Sequence, residues 1–207
     1  MKRGLDIAGS LTLLLLIAPL FGLIALLLKM TSPGPILFRQ ARVGRLGKPF
    51  TMLKFRSMRV DADPKLHQEF VKNFIQSGAQ AQANDGATPE FKLRKDPRVT
   101  PIGRFLRKTS LDELPQLWNV LRGDMSLVGP RPPLGYEVEQ YRPWHWRRVL
   151  EAKPGLTGLW QVYGRSRTTF DDMVRLDIRY IRTCSLRNDV KILLATPRAV
   201  ISGTGAH

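Results

Sequence analysis

The longest apolar run lies near the start of the chain, where the 22 residues from Ile7 to Leu28 carry no charge. As a helix it extends about 33 Å, enough to cross a hydrocarbon core of about 30 Å. Pro19 sits near its middle, and proline removes a helix hydrogen bond and crowds the preceding turn, so a bend or break is expected there. Each half then reaches about 15 Å, or mid-bilayer. Both flanks are basic: Lys2 and Arg3 before the run, Lys29, Arg39, Arg42 and Arg45 after it. Basic flanks on both sides orient no simple span but suit a hairpin that enters and leaves on one side. A kinked single span fits the same residues. A cleaved leader is not expected, because the run is too long and continues into Lys29-Met30-Thr31.

Beyond the run the pattern shortens and becomes mixed. Residues 36–58 read as a β-hairpin, with Ile36, Phe38, Phe50, Met52 and Phe55 as strand formers and glycines in 42–48 for the turn. Residues 61–77 have helical spacing, with Phe70, Val71, Phe74 and Ile75 on one face. The Ala-, Gln-, Asn- and Gly-rich stretch 78–90 reads as a mobile loop, and 61–95 as an insertion. A core-like segment runs from Phe91 to Leu127 and contains a helix predicted over 110–122, stopped by Gly123. Tyr136, Tyr141, Trp144 and Trp146 alternate with Arg142, Arg147 and Arg148, which suits a membrane interface, a base-stacking surface or an amphipathic core helix equally. Phe170 to Cys184 reads as a helix, and 190–201 as a segment able to lie flat in an interface. The fold class expected is α+β and mostly helical, with one small hairpin.

Charge sharpens this picture. Thirty-three Lys and Arg against 17 Asp and Glu leave a formal +16 over 207 residues. Such an excess predicts polyanionic partners: nucleic acid, anionic headgroups or phosphorylated substrates. Cys184 stands alone, so no internal disulfide forms, and no His/Cys spacing suits zinc. Neither a Walker phosphate loop nor a G-x-G-x-x-G fingerprint is present.

Candidate chemistry concentrates between Lys108 and Pro132. Ser110-Leu111-Asp112-Glu113 matches a capping box, in which the acidic residues only stabilise a helix start. The surroundings argue for more. Arg104, Arg107, Lys108, Arg122 and Arg131 flank the pair, and a carboxylate among cations stays ionised, fit to act as nucleophile or magnesium ligand. Arginines clamp diphosphates, and Gly129-Pro130-Arg131-Pro132 holds one on a stiff turn. A second cluster, Lys153 to Arg165, reads as a turn and short strand; Trp160 or Tyr163 are candidates to line a nucleotide pocket and Arg165 to bind phosphate.

Ser110 to Val120, Gly123 to Pro132, Lys153 to Gly158, Lys54-Phe55-Arg56-Ser57-Met58 and Lys2-Arg3 to Asp6 together resemble the bacterial sugar transferase family, the monotopic polyprenyl-phosphate phosphoglycosyl transferases. The resemblance covers almost the whole chain and is weakest at 61–95. It implies a re-entrant membrane hairpin broken at Pro19 over residues 1–33, although this chain has Ala18 where such proteins often carry serine. Residues 34–207 would be a catalytic domain on the cytoplasmic face of the bacterial inner membrane, with interfacial amphipathic helices. The implied reaction moves a hexose-1-phosphate from a UDP-sugar to undecaprenyl phosphate and releases UMP, as in exopolysaccharide or lipopolysaccharide assembly. Asp112 would be nucleophile and magnesium ligand, Glu113 the base or acceptor-positioning group, Arg107 and Arg131 the phosphate ligands, and Arg165 with Gln161 the nucleotide side. Mg²⁺ is the implied cofactor, membrane lipids are partners, nucleic acid is not, and a homodimer stays open. The competing reading is a membrane-anchored basic binding or scaffold module without catalysis.

Overall fold

The computed structural model describes residues 1–60, 65–76, 96, 98–164 and 168–201. The 78–90 loop, most of the 61–95 insertion and Arg165 lie outside the described residues.

Helix α1 runs from Lys2 to Thr31, 30 residues or about 45 Å. Pro19 lies inside it, so the two half-helices expected from the sequence form one continuous helix. Packing on both sides of the proline accounts for this. Leu14 and Ile17 before it and Leu20, Phe21, Ile24 and Leu28 after it all seat against the rest of the molecule. The contacting stripe (Asp6, Ser10, Leu14, Ile17, Phe21, Ile24, Leu28) follows the three- and four-residue spacing of one helix face. Leu15, Leu16, Leu23 and Leu26 face outward.

Polar side chains fasten both ends of this helix. At the start, Lys2 pairs with Asp189 at 2.6 Å and donates to the Val128 carbonyl at 3.0 Å. Arg3 donates to the Val120 and Leu121 carbonyls at the end of α4 (Gln116–Arg122). Buried Asp6 accepts from the Ser126 hydroxyl and the Leu127 N–H, both at 2.9 Å. At the far end the buried Arg56 guanidinium donates to the Ser32 and Pro33 carbonyls at 2.8 Å.

The predicted hairpin is present as β1 (Leu37–Val43) and β2 (Pro49–Phe55), antiparallel, with Leu37 opposite Phe55 and Val43 opposite Pro49. Helix α2 (Lys65–Gln76) buries Val71, Phe74 and Ile75, the face its spacing predicted. Helix α3 (Pro101–Lys108) begins at Thr100, whose side chain accepts from the Gly103 N–H. Between α3 and α4 the capping-box expectation fails. Ser110 is left-handed at φ 56° and caps nothing with its side chain; residues 111–113 form a 3₁₀ turn, and the α-helix starts only at Gln116, after Pro115. Glu113 reaches Lys54 on β2 instead, so tertiary pairing displaces the local cap. Gly123, at φ 93°, stops α4 as predicted.

Strand β3 (Ser126–Val128) runs parallel to β4 (Gly155–Thr157). Their backbones approach so closely that a Cβ at Gly155 would lie 2.0 Å from the Gly129 nitrogen. Short helices α5 (Gly135–Val138), α6 (Arg147–Leu150) and α7 (Leu159–Tyr163) lead to α8 (Phe170–Arg182) and α9 (Leu186–Ile201). The aromatic–arginine stretch resolves toward core: Tyr136, Tyr141 and Trp144 pack against Phe170, Met173 and Val174. Trp160 is likewise core, with its indole N–H on the Thr168 hydroxyl at 2.9 Å, while Tyr163 is exposed. Helix α9 buries Ile192 and Ala199 and leaves Val190 and Leu194 outside.

Replacing Asp6 by alanine strands the buried Ser126 hydroxyl and Leu127 N–H, at about 1–3 kcal/mol. Thermal melts in detergent are expected to show a clear loss for Asp6→Ala. Asp6→Asn, which keeps the accepting oxygen, should lie close to the wild type.

Candidate active site

Three pieces of backbone frame the site. The first is the 3₁₀ turn carrying Asp112 and Glu113, which rests on α3 and β2. Asn119, fully buried one turn into α4, locks this region to the hairpin: its carboxamide accepts from the Leu53 N–H at 3.0 Å and donates to the Thr51 carbonyl at 2.7 Å. Leu111 joins the apolar cluster of Ile24, Leu28, Phe55 and Leu106, and the Asp112 side chain is buried. Glu113 is half exposed and takes a 2.8 Å ion pair from Lys54.

The second piece is the Gly129-Pro130-Arg131-Pro132 turn, whose stiffness was expected from its prolines and has a further cause. Four successive carbonyls each accept a hydrogen bond: Pro130 from the Gly155 N–H, Arg131 from the Arg148 guanidinium, Pro132 from the Arg42 guanidinium and Pro133 from the Val43 N–H. Arg148 is itself buried against Asp177 at 2.7 Å and also donates to the Tyr141 hydroxyl at 3.1 Å. Burial pushes the Asp177 carboxyl up to about 6 even against that guanidinium.

The third piece is α2, which brings His67 to within 2.6 Å of the Tyr136 hydroxyl. Charge around this pair is strongly one-sided. Burial first, then the fields of Arg131, Arg42, Arg98 and Arg107, hold the His67 imidazole down at about 4, so it is neutral at physiological pH. Burial and Arg131 lower the Arg42 guanidinium to about 10, against the opposing pull of Glu137, Tyr136 and Glu113. Burial raises the Tyr136 hydroxyl to about 12, with Arg42, Arg131 and Arg98 opposing. Four arginines from four separate segments therefore act on His67, and Glu113 acts on one of them, Arg42. Like charges forced together in this way are relieved by a bound polyanion.

Of the residues expected from the sequence, Arg107 and Arg131 both act on His67, Glu113 and Arg131 both act on Arg42, and Asp112 stands beside Glu113 on the 3₁₀ turn. Gln161 lies on α7 with its side-chain oxygen beside Gly158. Arg42, Arg98, His67, Tyr136 and Lys54 were missed as site residues. Arg42 stands in strand sequence with no local signal, Lys54 was read only as part of a family-like run, His67 lies within the stretch read as an insertion and Arg98 just after it. Among the described residues no three of His, Cys, Asp and Glu gather into a metal cage. An adjacent carboxylate pair beside an arginine field fits a magnesium ion carried largely by water and a substrate diphosphate.

The model of the family described as bacterial sugar transferase matches residues 1–203. The chain is 47% identical to the galactosyl transferase CpsE of Streptococcus agalactiae, over 99% of this chain and 43% of that protein. It is 45% identical to the undecaprenyl-phosphate galactose phosphotransferase of Salmonella typhimurium, over 100% of this chain and 42% of that protein. The exopolysaccharide production protein ExoY of Rhizobium meliloti is 40% identical, and there the match covers 100% of this chain and 88% of the relative. The chain spans less than half the length of the first two. A match over nearly every residue, including both ends of α1 and the turns that carry the acidic pair and Arg131, places this chain in the bacterial sugar transferase family.

Proposed function

We propose that this protein transfers a hexose-1-phosphate from a UDP-sugar to a polyprenyl phosphate, with release of UMP, at the cytoplasmic face of a bacterial inner membrane. The observation that carries this reading is the Asp112–Glu113 pair beside a field of four arginines, on a domain fastened to both ends of an apolar helix. The activities in the names of its relatives support the same reaction.

The chemistry divides into two displacements. An Asp112 carboxylate oxygen attacks the β-phosphorus of the UDP-sugar; a phosphorus–oxygen bond forms, the bond to the UMP oxygen breaks, and UMP leaves. A phosphate oxygen of the polyprenyl phosphate then attacks the same phosphorus and returns the Asp112 carboxylate, leaving a polyprenyl diphosphate sugar. Splitting the transfer avoids bringing two bulky anions together in one step. Arg107, Arg131, Arg42 and Arg98 hold the diphosphate and spread its developing charge. Glu113, tethered by Lys54, orients the incoming acceptor phosphate. Asp112 and the diphosphate together would hold Mg²⁺, which supplies charge neutralisation when bound. Burial of Asp112 removes water that would hydrolyse the acyl phosphate.

The two fastenings of α1 support a monotopic placement over a span. A span standing across the bilayer would carry Lys2 and Ser32 to opposite sides, yet both are bonded to the same domain. On this reading the helix lies along one face of the bilayer with its outer leucines in hydrocarbon, as a monotopic anchor does.

The test is UMP release from a panel of UDP-sugars with undecaprenyl phosphate and magnesium. Wild type is expected to release UMP with at least one sugar, and Asp112→Asn, an isosteric change, to fold normally while losing turnover by several orders of magnitude. Near-wild-type turnover by that variant removes Asp112 from the role of nucleophile, and no release with any sugar favours the non-catalytic scaffold. Arg131→Ala is expected to raise KM for the UDP-sugar roughly ten- to hundredfold, as one charge-assisted hydrogen bond is worth about 1.5–3 kcal/mol. Measuring the variant over a salt series should show a shallower ionic-strength dependence than wild type.

A further inference from the structure

His67 and Tyr136 take part in no step of the reaction given above, yet they meet beside its arginines. His67 stands near the start of α2, half-buried, with Nδ1 2.6 Å from the Tyr136 hydroxyl and the two rings edge to face at 6.1 Å. Neither element depends on this bond for its place. Val71, Phe74 and Ile75 seat α2 in the apolar cluster of Phe170, Met173 and Val174. Helix α5 follows closely on the turn whose carbonyls are hydrogen bonded from residue 130 to 133.

The pair is neutral in a cationic setting. Burial and the surrounding arginines keep His67 uncharged, so it is no phosphate clamp, a task the arginines already fill. Among the described residues its Nε2 makes no hydrogen bond. That nitrogen offers either an N–H or a lone pair, according to which partner gives the proton in the bond to Tyr136, and the phenol oxygen has a further lone pair. Neutral donor and acceptor groups at a fixed spacing suit a sugar hydroxyl, which both donates and accepts.

A nucleotide sugar carries hydroxyls on both sides of its diphosphate, and position selects between them. The Arg42 guanidinium donates to the Pro132 carbonyl at 3.0 Å and lies 4.0 Å from Glu137, the residue after Tyr136. Tyr136 and Glu113 both act on that one guanidinium. Asp112, next to Glu113, attacks the phosphorus that bears the hexose, so the pair stands on the hexose side.

We propose that His67 and Tyr136 form a hydrogen-bonding pair that contacts a ring hydroxyl of the transferred hexose and so helps set which sugar the protein accepts. The proposal rests on the transferase reading above and deepens it.

The test compares wild type with His67→Leu and Tyr136→Phe in the full chain, with undecaprenyl phosphate saturating. Leucine favours helix at position 67, and phenylalanine keeps the ring at 136. Values of kcat/KM are measured for the preferred UDP-hexose and for its monodeoxy analogues. Inhibition by UMP, which carries the nucleoside and no hexose, is measured alongside and shows that each variant is folded.

Wild type is expected to lose about tenfold or more on one deoxy analogue, which leaves a polar group of the site unpaired. Each variant should lose a similar factor on the parent sugar, lose little more on that analogue, and keep the wild-type Ki for UMP. A loss that is equal for the parent and every analogue, with each deoxy penalty as large as in wild type, gives the pair a purely structural role and overturns the proposal. A Ki for UMP that rises in step with the loss assigns the pair to the ribose or uracil and overturns it as well, as does unchanged kcat/KM in both variants. Absence of turnover by the wild type with every UDP-sugar overturns the transferase reading itself, an outcome seen before any variant is measured.

Discussion

The attachment of both ends of α1 to a single domain is the constraint on which the remaining arrangement depends. Lys2, Arg3 and Asp6 bind the start of the helix to β3, α4 and α9, and Arg56 binds its end from the close of β2. Between these fastenings the helix lies along the domain and completes two of its apolar clusters, one around Leu117 and Val120 and one around Phe55 and Leu106. The same α4 that receives Arg3 begins just beyond the turn carrying Asp112 and Glu113. An apolar helix held in this way fixes the acidic pair relative to the exposed leucine face of α1. A chemistry joining a soluble nucleotide sugar to a lipid phosphate requires that relation.

Within the domain, fixed backbone does for the arginines what burial does for the carboxylate. The carbonyls of residues 130–133 are each hydrogen bonded, and the bond to Arg131 comes from Arg148, which is buried with Asp177. Rigid placement keeps Arg131 and Arg42 together despite their repulsion, which adds to burial in lowering the Arg42 guanidinium. Removing one partner of a buried pair such as Arg148–Asp177 is costly, about 3–5 kcal/mol, because the other is left charged and unsolvated. Preorganised cations of this kind stabilise a phosphoryl transition state without reorganising during the reaction.

Much of this was legible in the sequence wherever the determinant is local. Alternating strand formers around a glycine turn announced the hairpin, Gly123 announced the end of α4, and the spacing of Phe70, Val71, Phe74 and Ile75 announced α2. The acidic pair and Arg131 stood out because residue type and stiff turns are written locally. Long-range pairing was not legible. Ser110 and Glu113 match a capping box, yet Lys54, 59 residues away from Glu113, draws the glutamate off and the helix starts later. Asp177 reads as one acid on a polar helix face and is instead buried against Arg148. Pro19 predicts a bend or a break, and the helix runs on through it with packing on both sides. Arg42 and His67 join the site through tertiary folding alone, so nothing near them in sequence marks them.

The most direct test of the central claim is the sidedness of the two ends of α1. Gly4 and Thr31, both exposed, are replaced singly by cysteine in a Cys184→Ser background, Cys184 being the only cysteine of the chain. A membrane-impermeant thiol reagent is then applied to sealed vesicles of known orientation, with native Cys184 as the marker for the domain. Both ends are expected to react from the same side as Cys184. Labelling of Gly4→Cys and Thr31→Cys from opposite faces would show a transmembrane span and contradict the account.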